Sequence, residues 1–394
     1  MQLTPEDKLI LASVKIQPTI EELDYLNNLI PQIQNWEYLV QNIVDRGIGP
    51  LFLKKLPLLS NSQFVPTDVK TKLQQAYYRT LSRGMVLYDA FKKIAEAFNA
   101  NGIQVIALKG IYLAENLYKD IALRQFSDID LLVKEEDGLK CIDILSTMGF
   151  KPFQTNMSGF IETHTEIVHY SPMLLNDVSV EIHIKLHRRN DKYKLKVGEF
   201  VKNTIPVSIN GTSVTTLDIN DLIIYLCIHL DKHFVGGRVQ FTSFNDIVNI
   251  LDVYKEEFNW DRFIFRCREN ECEELVFGYL MLLNKYYDIS IPDYLNENYH
   301  HLLTYRNQEL FCKYLKGGSL AKYKTSIHIE NIRQIMSFKL KLRYYAEVIF
   351  PPRKFMIEKY NIQHSSFVLF YYPYRYYIGL KGLVYVLRNS KSKE

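Results

Sequence analysis

Apolar positions in the first 100 residues recur every three to four residues, the period of helices that pack by one face. Thr4-Pro5-Glu6-Asp7 predicts a helix start, with a threonine cap, proline at the first helical position and an acid in the first turn. A second, long helix is predicted from Thr67 through Leu73, Tyr77, Leu81, Leu87 and Phe91 to a stop at Asn101-Gly102. The pattern then shortens. Residues 103–108 form an apolar run between glycines, as in a buried strand, and residues 111–118 return to helical spacing. Residues 128–133 predict a strand, and residues 137–148 a helix closed by Gly149. Residues 163–170 and 178–186 suggest a strand pair joined through Leu174-Leu175-Asn176-Asp177. Residues 205–208 and 213–216 flank Asn210-Gly211, a strong hairpin signal. After Asp218, a helix cap, Leu222, Tyr225, Leu226, His229 and His233 follow helical spacing, and residues 244–254 predict another helix.

These elements predict an α+β chain with a mixed α/β core. The expected parts are a helical region over 1–100, the α/β unit over 101–216, a helical domain over 217–300 and a C-terminal region over 301–394. Hydrophobic residues make up 47% and charged residues 23%, so composition adds little beyond a globular class. Charge distribution adds more. Residues 301–394 hold 17 lysines and arginines against 5 acids, whereas the first 300 hold 31 against 39. The basic end is also aromatic, as in Tyr371-Tyr372-Pro373-Tyr374-Arg375-Tyr376-Tyr377, and would suit an anionic partner such as nucleic acid or lipid. Packing of this segment onto the N-terminal helices is the alternative. No apolar run reaches the ~20 residues of a membrane span, and Met1 to Asp7 lacks the order of a signal peptide. Five scattered cysteines suit neither a disulfide framework nor zinc and point to a reducing cytoplasm, with peripheral membrane contact left open.

The chemistry concentrates in Leu108-Lys109-Gly110, Asp128-Ile129-Asp130 and Val180-Glu181-Ile182-His183. On a strand, Asp128 and Asp130 project from one face, as do Glu181 and His183. Carboxylates that close repel unless a cation lies between them, so a divalent ion is their natural partner. Gly110 falls where a strand turns into a helix, a place for backbone N–H groups to meet a phosphate. Together these features predict a metal-dependent site for a nucleoside triphosphate.

The block Ala107-Leu108-Lys109-Gly110, Leu117-Tyr118, Arg124 and Asp128-Ile129-Asp130-Leu131-Leu132-Val133 resembles the little-characterised bacterial nucleotidyltransferases of the DNA polymerase β superfamily. Leu145-Ser146-Thr147-Met148-Gly149-Phe150 resembles that family's helix end, and Val180-Glu181-Ile182-His183 its acid-x-His strand. Leu226 to His233, with Asp246 beyond, resembles its helical lid. The likeness covers residues 70–265 and, more loosely, the tail around Pro351-Pro352. It implies a mixed-sheet catalytic core with Asp128, Asp130 and Glu181 as ligands of Mg²⁺ or Mn²⁺. Two departures stand out: Lys109-Gly110-Ile111 replaces the usual Gly-Ser or Gly-Gly, and Glu181 replaces the usual aspartate.

The expected reaction moves a nucleoside monophosphate, AMP from ATP before other donors, onto a hydroxyl with release of pyrophosphate. Lys109 and Gly110 would hold the triphosphate, with Arg124 adding charge or else pairing with Asp120 or Glu115 on the surface. His183 would orient Glu181 or receive the acceptor's proton. Lys232 and His233, with His229 one turn before, would contact phosphate or base; zinc on the histidine pair lacks a third ligand. A small molecule, a peptide or protein side chain, and an RNA 3′ end all remain open as acceptor. The rivals are a non-catalytic binding protein on a degenerate nucleotidyltransferase fold and a toxin-like enzyme that modifies tRNA.

Overall fold

The computed structural model describes residues 3–153, 168–187, 193–235, 241–317, 338–351, 353–360, 362 and 364–390. It opens with helices α1 (Pro5–Ala12), α2 (Ile20–Leu29), α3 (Trp36–Asp45), α4 (Gly49–Lys55) and α5 (Thr67–Ala100). The Thr4 hydroxyl accepts from the Asp7 N–H at 3.2 Å and the Asp7 carboxylate accepts from the Thr4 N–H at 3.1 Å, a reciprocal cap. Along α5 the buried side chains Val69, Leu73, Leu87, Phe91, Ile94 and Phe98 keep the predicted spacing. The helix ends at Asn101, and Gly102 turns the chain with φ of 72°.

Seven strands form one mixed sheet in the order β3-β4-β5-β2-β1-β7-β6. They are β1 (Ile106–Ala107), β2 (Asp128–Leu132), β3 (Lys151–Pro152), β4 (Met173–Leu175), β5 (Val178–His183), β6 (Thr204–Ile209) and β7 (Thr212–Leu217). The β2/β5 and β1/β7 pairs are parallel and the other pairs antiparallel. Between strands lie α6 (Lys109–Asn116), α7 (Gly138–Thr147) and α8 (Val197–Lys202). The β6/β7 hairpin turns at Asn210 and Gly211, whose φ values of 49° and 75° suit a tight two-residue turn.

Two expectations change. The strand expected over 103–108 is regular only at Ile106 and Ala107, because the chain swings into α6 already at Lys109. The antiparallel partner of β5 is β4, within the stretch expected to be a connection. Asn176 takes a left-handed φ of 50°, so the chain folds back at once after Leu175. Of the partner expected over 163–170, residues 163–167 lie outside the described residues, and His169 contributes one isolated bridge to His183.

The helical half comprises α9 (Ile219–Val235), α10 (Phe241–Val253), α11 (Trp260–Glu269), α12 (Glu273–Tyr287), α13 (Asp293–Tyr299) and α14 (Tyr305–Leu315). Asp218 starts α9: its carboxylate accepts from the Asn220 N–H at 3.0 Å and its carbonyl from the Leu222 N–H at 2.8 Å. One continuous apolar core runs through the N-terminal helices, the sheet and this helical half, from Leu9 to Leu315. Beyond it come α15 (Phe338–Ile349), α16 (Arg353–Tyr360) and α17 (Val368–Ser390), where Phe355, Met356, Ile362 and Val368 form a small core of their own. No helix among the described residues is long and apolar enough to cross a membrane.

Candidate metal and triphosphate site

The β2/β5 register sets Asp130 beside Glu181 and Leu132 beside His183. Paired strands run about 4.8 Å apart and alternate residues share a face, so neighbouring carboxylates and an imidazole follow from the pairing itself. The His183 Nε2 lies 3.1 Å from one Asp130 oxygen and 3.6 Å from Glu181 Oε2. The other Asp130 oxygen is 3.0 Å from Lys109 Nζ. Asp130 is thus held between an ammonium and an imidazole, and it is 2% exposed.

Burial opposes charge on Asp130, but Lys109 and His183 outweigh it and hold the carboxyl well below the usual range. Burial likewise opposes charge on His183, yet its bonds to Asp130 and Glu181 raise its basicity. Asp128 has the opposite balance. Burial and the neighbouring Asp130 charge push its carboxyl up to about 6, with Lys109 pulling the other way. Glu181 stays on the acidic side because the His183 bond overcomes the cost of burial.

One atom each from Asp130, Glu181 and His183 lies within 4.8 Å of the others. Bonds of about 2.1 Å to one ion span at most about 4.2 Å, so a small inward shift would close this set on a cation. Two carboxylate oxygens and an imidazole nitrogen suit Mn²⁺ in particular, whereas the oxygens of Asp128 and Asp130 alone would suit Mg²⁺. The residues present therefore fit a divalent ion. The converging trio differs from the expected one, since His183 belongs to it and Asp128 does not. Asp128 stands near enough to feel Asp130, Lys109 and Glu181 and would complete a second cation position.

Lys109 opens α6 with a left-handed φ of 41°, a strained conformation for a side-chain-bearing residue and one typical of functional sites. Gly110 follows because nothing larger fits: a Cβ there would come within 2.8 Å of Arg124 Nη1 and 2.9 Å of Phe126 Cβ. The Lys109 ammonium also meets His229 Nε2 at 3.1 Å, and His233 Nε2 lies 3.3 Å beyond. Burial, then the Lys109 charge, lower the basicity of His229 well below its ordinary value, which leaves a neutral ring to accept from the lysine. Lys232 points elsewhere, donating to the Leu186 carbonyl at 3.2 Å just past β5.

Arg124 requires a correction. The expectation placed it on the triphosphate or on a surface acid. Its Nε and Nη2 instead hold Asp246 at 3.1 and 2.7 Å, and the Tyr118 hydroxyl donates to the same carboxylate at 3.0 Å. Asp246 is fully buried, and a buried carboxylate requires such a fork of donors. The network ties the loop before β2 to α10. Two groups near the acids were not anticipated. His169 Nδ1 lies 3.9 Å from Glu181, brought there by a single bridge that no local pattern signals. The Tyr225 hydroxyl is buried, without a hydrogen-bond partner among the described residues, in the field of Lys109, Asp130, Glu181 and Asp128. Its position one turn before His229 on α9 was readable from spacing.

A family model described as "uncharacterised nucleotidyltransferase" matches residues 32–288, well over half of the chain and all of the acid cluster. The chain belongs to this nucleotidyltransferase family. Its general reaction is accordingly nucleotidyl transfer. None of the curated proteins compared with it matches. Among solved structures, this nucleotidyltransferase is similar to the antibiotic-resistance factor ANT(2'')-Ia, known in solution with substrate-regulated conformation dynamics. That likeness has 11% identity and a TM-score of 0.33, covering 55% of this chain and 98% of the other.

Proposed function

We propose that this nucleotidyltransferase moves a nucleoside monophosphate, AMP from ATP first among donors, onto a hydroxyl acceptor in a reaction dependent on Mg²⁺ or Mn²⁺. The observation that carries this reading is the side-by-side placement of Asp130 and Glu181 on parallel strands, with Lys109 and His183 against them. Asp130, Glu181 and His183 would hold one ion and Asp128 with Asp130 a second. Bound there, such ions supply charge stabilisation at the attacking and leaving oxygens. The acceptor oxygen forms a bond to the α-phosphorus, the bond to the bridging oxygen breaks, and pyrophosphate leaves with that electron pair. The hydroxyl proton passes to His169 or to water, with His183 orienting Glu181. Lys109 would pair with the β- or γ-phosphate of bound substrate, which leaves Asp130 as a carboxylate that would hold a cation. His229 and His233 stand beside that ammonium, whereas Lys232 is engaged by the Leu186 carbonyl. Arg124 acts at one remove, packing against Gly110 so that the start of α6 stays in place.

The test is metal-dependent nucleotide binding. Thermal shifts with ATP, GTP, CTP and UTP, each with Mg²⁺, Mn²⁺ or EDTA, should show one nucleotide that stabilises only with metal. At 100 times its dissociation constant it adds roughly 2.7 kcal/mol. Asp130→Asn should abolish that shift. Nucleotide binding unchanged in EDTA would instead support the non-catalytic reading.

The C-terminal helices favour an anionic partner as well. Phe338, Phe350, Leu369 and Phe370 are each at least 66% exposed, interleaved with Lys339, Lys341, Arg343, Arg353, Arg375 and Lys381. An anionic membrane surface on the cytoplasmic side would satisfy both sets of groups.

A further inference from the structure

The same face of α9 that meets the acid cluster continues into a cavity. His233, His229 and Tyr225 follow one another at helical spacing toward the N-terminus of α9, and Leu222 and Ile219 come next. The last two line a cavity of about 210 Å³. Across it, α6 contributes Tyr112 and Leu113, with Leu117 just past its end, three, four and eight residues after Lys109. The cavity therefore lies between the two helices that carry Lys109 and His229. Leu222 is about 4.5 Å along the axis from Tyr225, whose buried hydroxyl feels the charges of Lys109, Asp130 and Glu181. By volume the space holds about seven waters' worth of ligand.

The lining has a distinct chemistry. Leu113, Leu222, Ile250 and Phe258 give it an apolar body, with Tyr112 and Tyr254 as polar edges. Its charged members are Asp218 and Glu257, and among the described residues no lysine, arginine or histidine lines it. Arg262 reaches Asp218 from outside at 3.5 Å, whereas Glu257 is exposed. The acidic lining favours a cation over a phosphate.

We propose that the cavity between α6 and α9 is the acceptor subsite, and that the acceptor is a small molecule with an apolar or aromatic body and an amine. The amine meets Glu257 and Asp218, the body fills the space against Leu113 and Leu222, and a hydroxyl extends past Tyr225 toward Asp130. Calling the ligand an acceptor rests on the nucleotidyl-transfer reading above; the site's preference for an amine does not.

The test measures binding to the full-length protein without nucleotide or metal. Three matched probes serve: tyramine, the neutral 4-hydroxyphenylethanol and the anionic 4-hydroxyphenylacetate. Calorimetry should give tyramine an affinity at least tenfold above the acid, with the alcohol between them. Glu257→Gln should weaken tyramine several-fold and leave the alcohol unchanged, the modest size expected for an exposed charge. Ile205→Trp, placed on β6 at a residue 40% exposed, should fill the cavity and abolish tyramine binding while the ATP-Mg²⁺ thermal shift persists. Equal affinity for all three probes, no binding at millimolar concentration, or displacement of tyramine by adenosine would each overturn the proposal. Failure of the nucleotidyl-transfer reading would show separately, as no metal-dependent ATP shift in the wild type.

Discussion

Lys109 and Asp130 form an ion pair of 3.0 Å in which the lysine that opens α6 rests on a carboxylate of the acid cluster. His183 occupies the other oxygen of the same carboxylate, so the chain supplies its own counter-charges where cations would bind. Removing one of them exposes the competition. Lys109→Met should tighten Mn²⁺ binding in the absence of nucleotide by about tenfold, the equivalent of ~1.4 kcal/mol, while weakening ATP. Calorimetric titration of the metal alone checks this, and unchanged or weaker Mn²⁺ binding would remove the lysine from that competition.

Asp128 predicts a gain of stability from losing a buried acid of the proposed site. Its folded carboxyl titrates at about 6, above the ordinary 3.8. A raised acid costs nothing where it is protonated in both states, and its cost grows from about pH 4 to 6 and is complete above 6. In EDTA, Asp128→Asn should therefore raise Tm by a few degrees at pH 7.5, on the order of 1–3 kcal/mol, and leave it unchanged at pH 4. An equal gain at both pH values would mean that relief of charge is not the cause.

The Arg124–Asp246 pair separates packing from substrate binding. Arg124→Ala strands a fully buried carboxylate and should cost about 3–5 kcal/mol. At low temperature, where the variant remains folded, its KM for the nucleotide should rise no more than a few-fold, because Arg124 acts only through the position of Gly110. Replacing both partners, Arg124→Met with Asp246→Leu, should recover part of the lost stability. A KM that rises many-fold in the single variant would return Arg124 to the triphosphate.

For the C-terminal helices, sedimentation with vesicles is the direct measurement. Binding should require anionic lipid, fall steeply from 50 to 500 mM salt as screening shortens the reach of each charge, and drop when Arg375 and Lys381 are both replaced by glutamine. Equal binding to neutral vesicles would leave the exposed aromatics as the sole cause.

Much of this arrangement was legible because local rules agreed with tertiary ones. Two-residue alternation put Asp128 with Asp130 and Glu181 with His183, and the sheet then needed only a parallel register to join them. The α5 boundaries followed from Pro66 and from Asn101-Gly102. Other features depend on long-range partners and leave no local trace. Asp246 lies 122 residues beyond Arg124, so the sequence offered nearer acids for it. His169 reaches Glu181 by one bridge rather than by a regular strand. The start of α6 at Lys109 was also hidden, because a lysine with φ of 41° contradicts the propensity by which helix starts are read.

The uninterrupted core from Leu9 to Leu315 bears on how this enzyme can be handled. A fragment cut to the sheet alone, or even to the family-matched residues 32–288, would lose α1 at one end and α14 at the other and leave Phe244 and Phe277 facing water. The smallest piece worth expressing begins before Thr4, whose cap secures the first helix, and ends after Leu315.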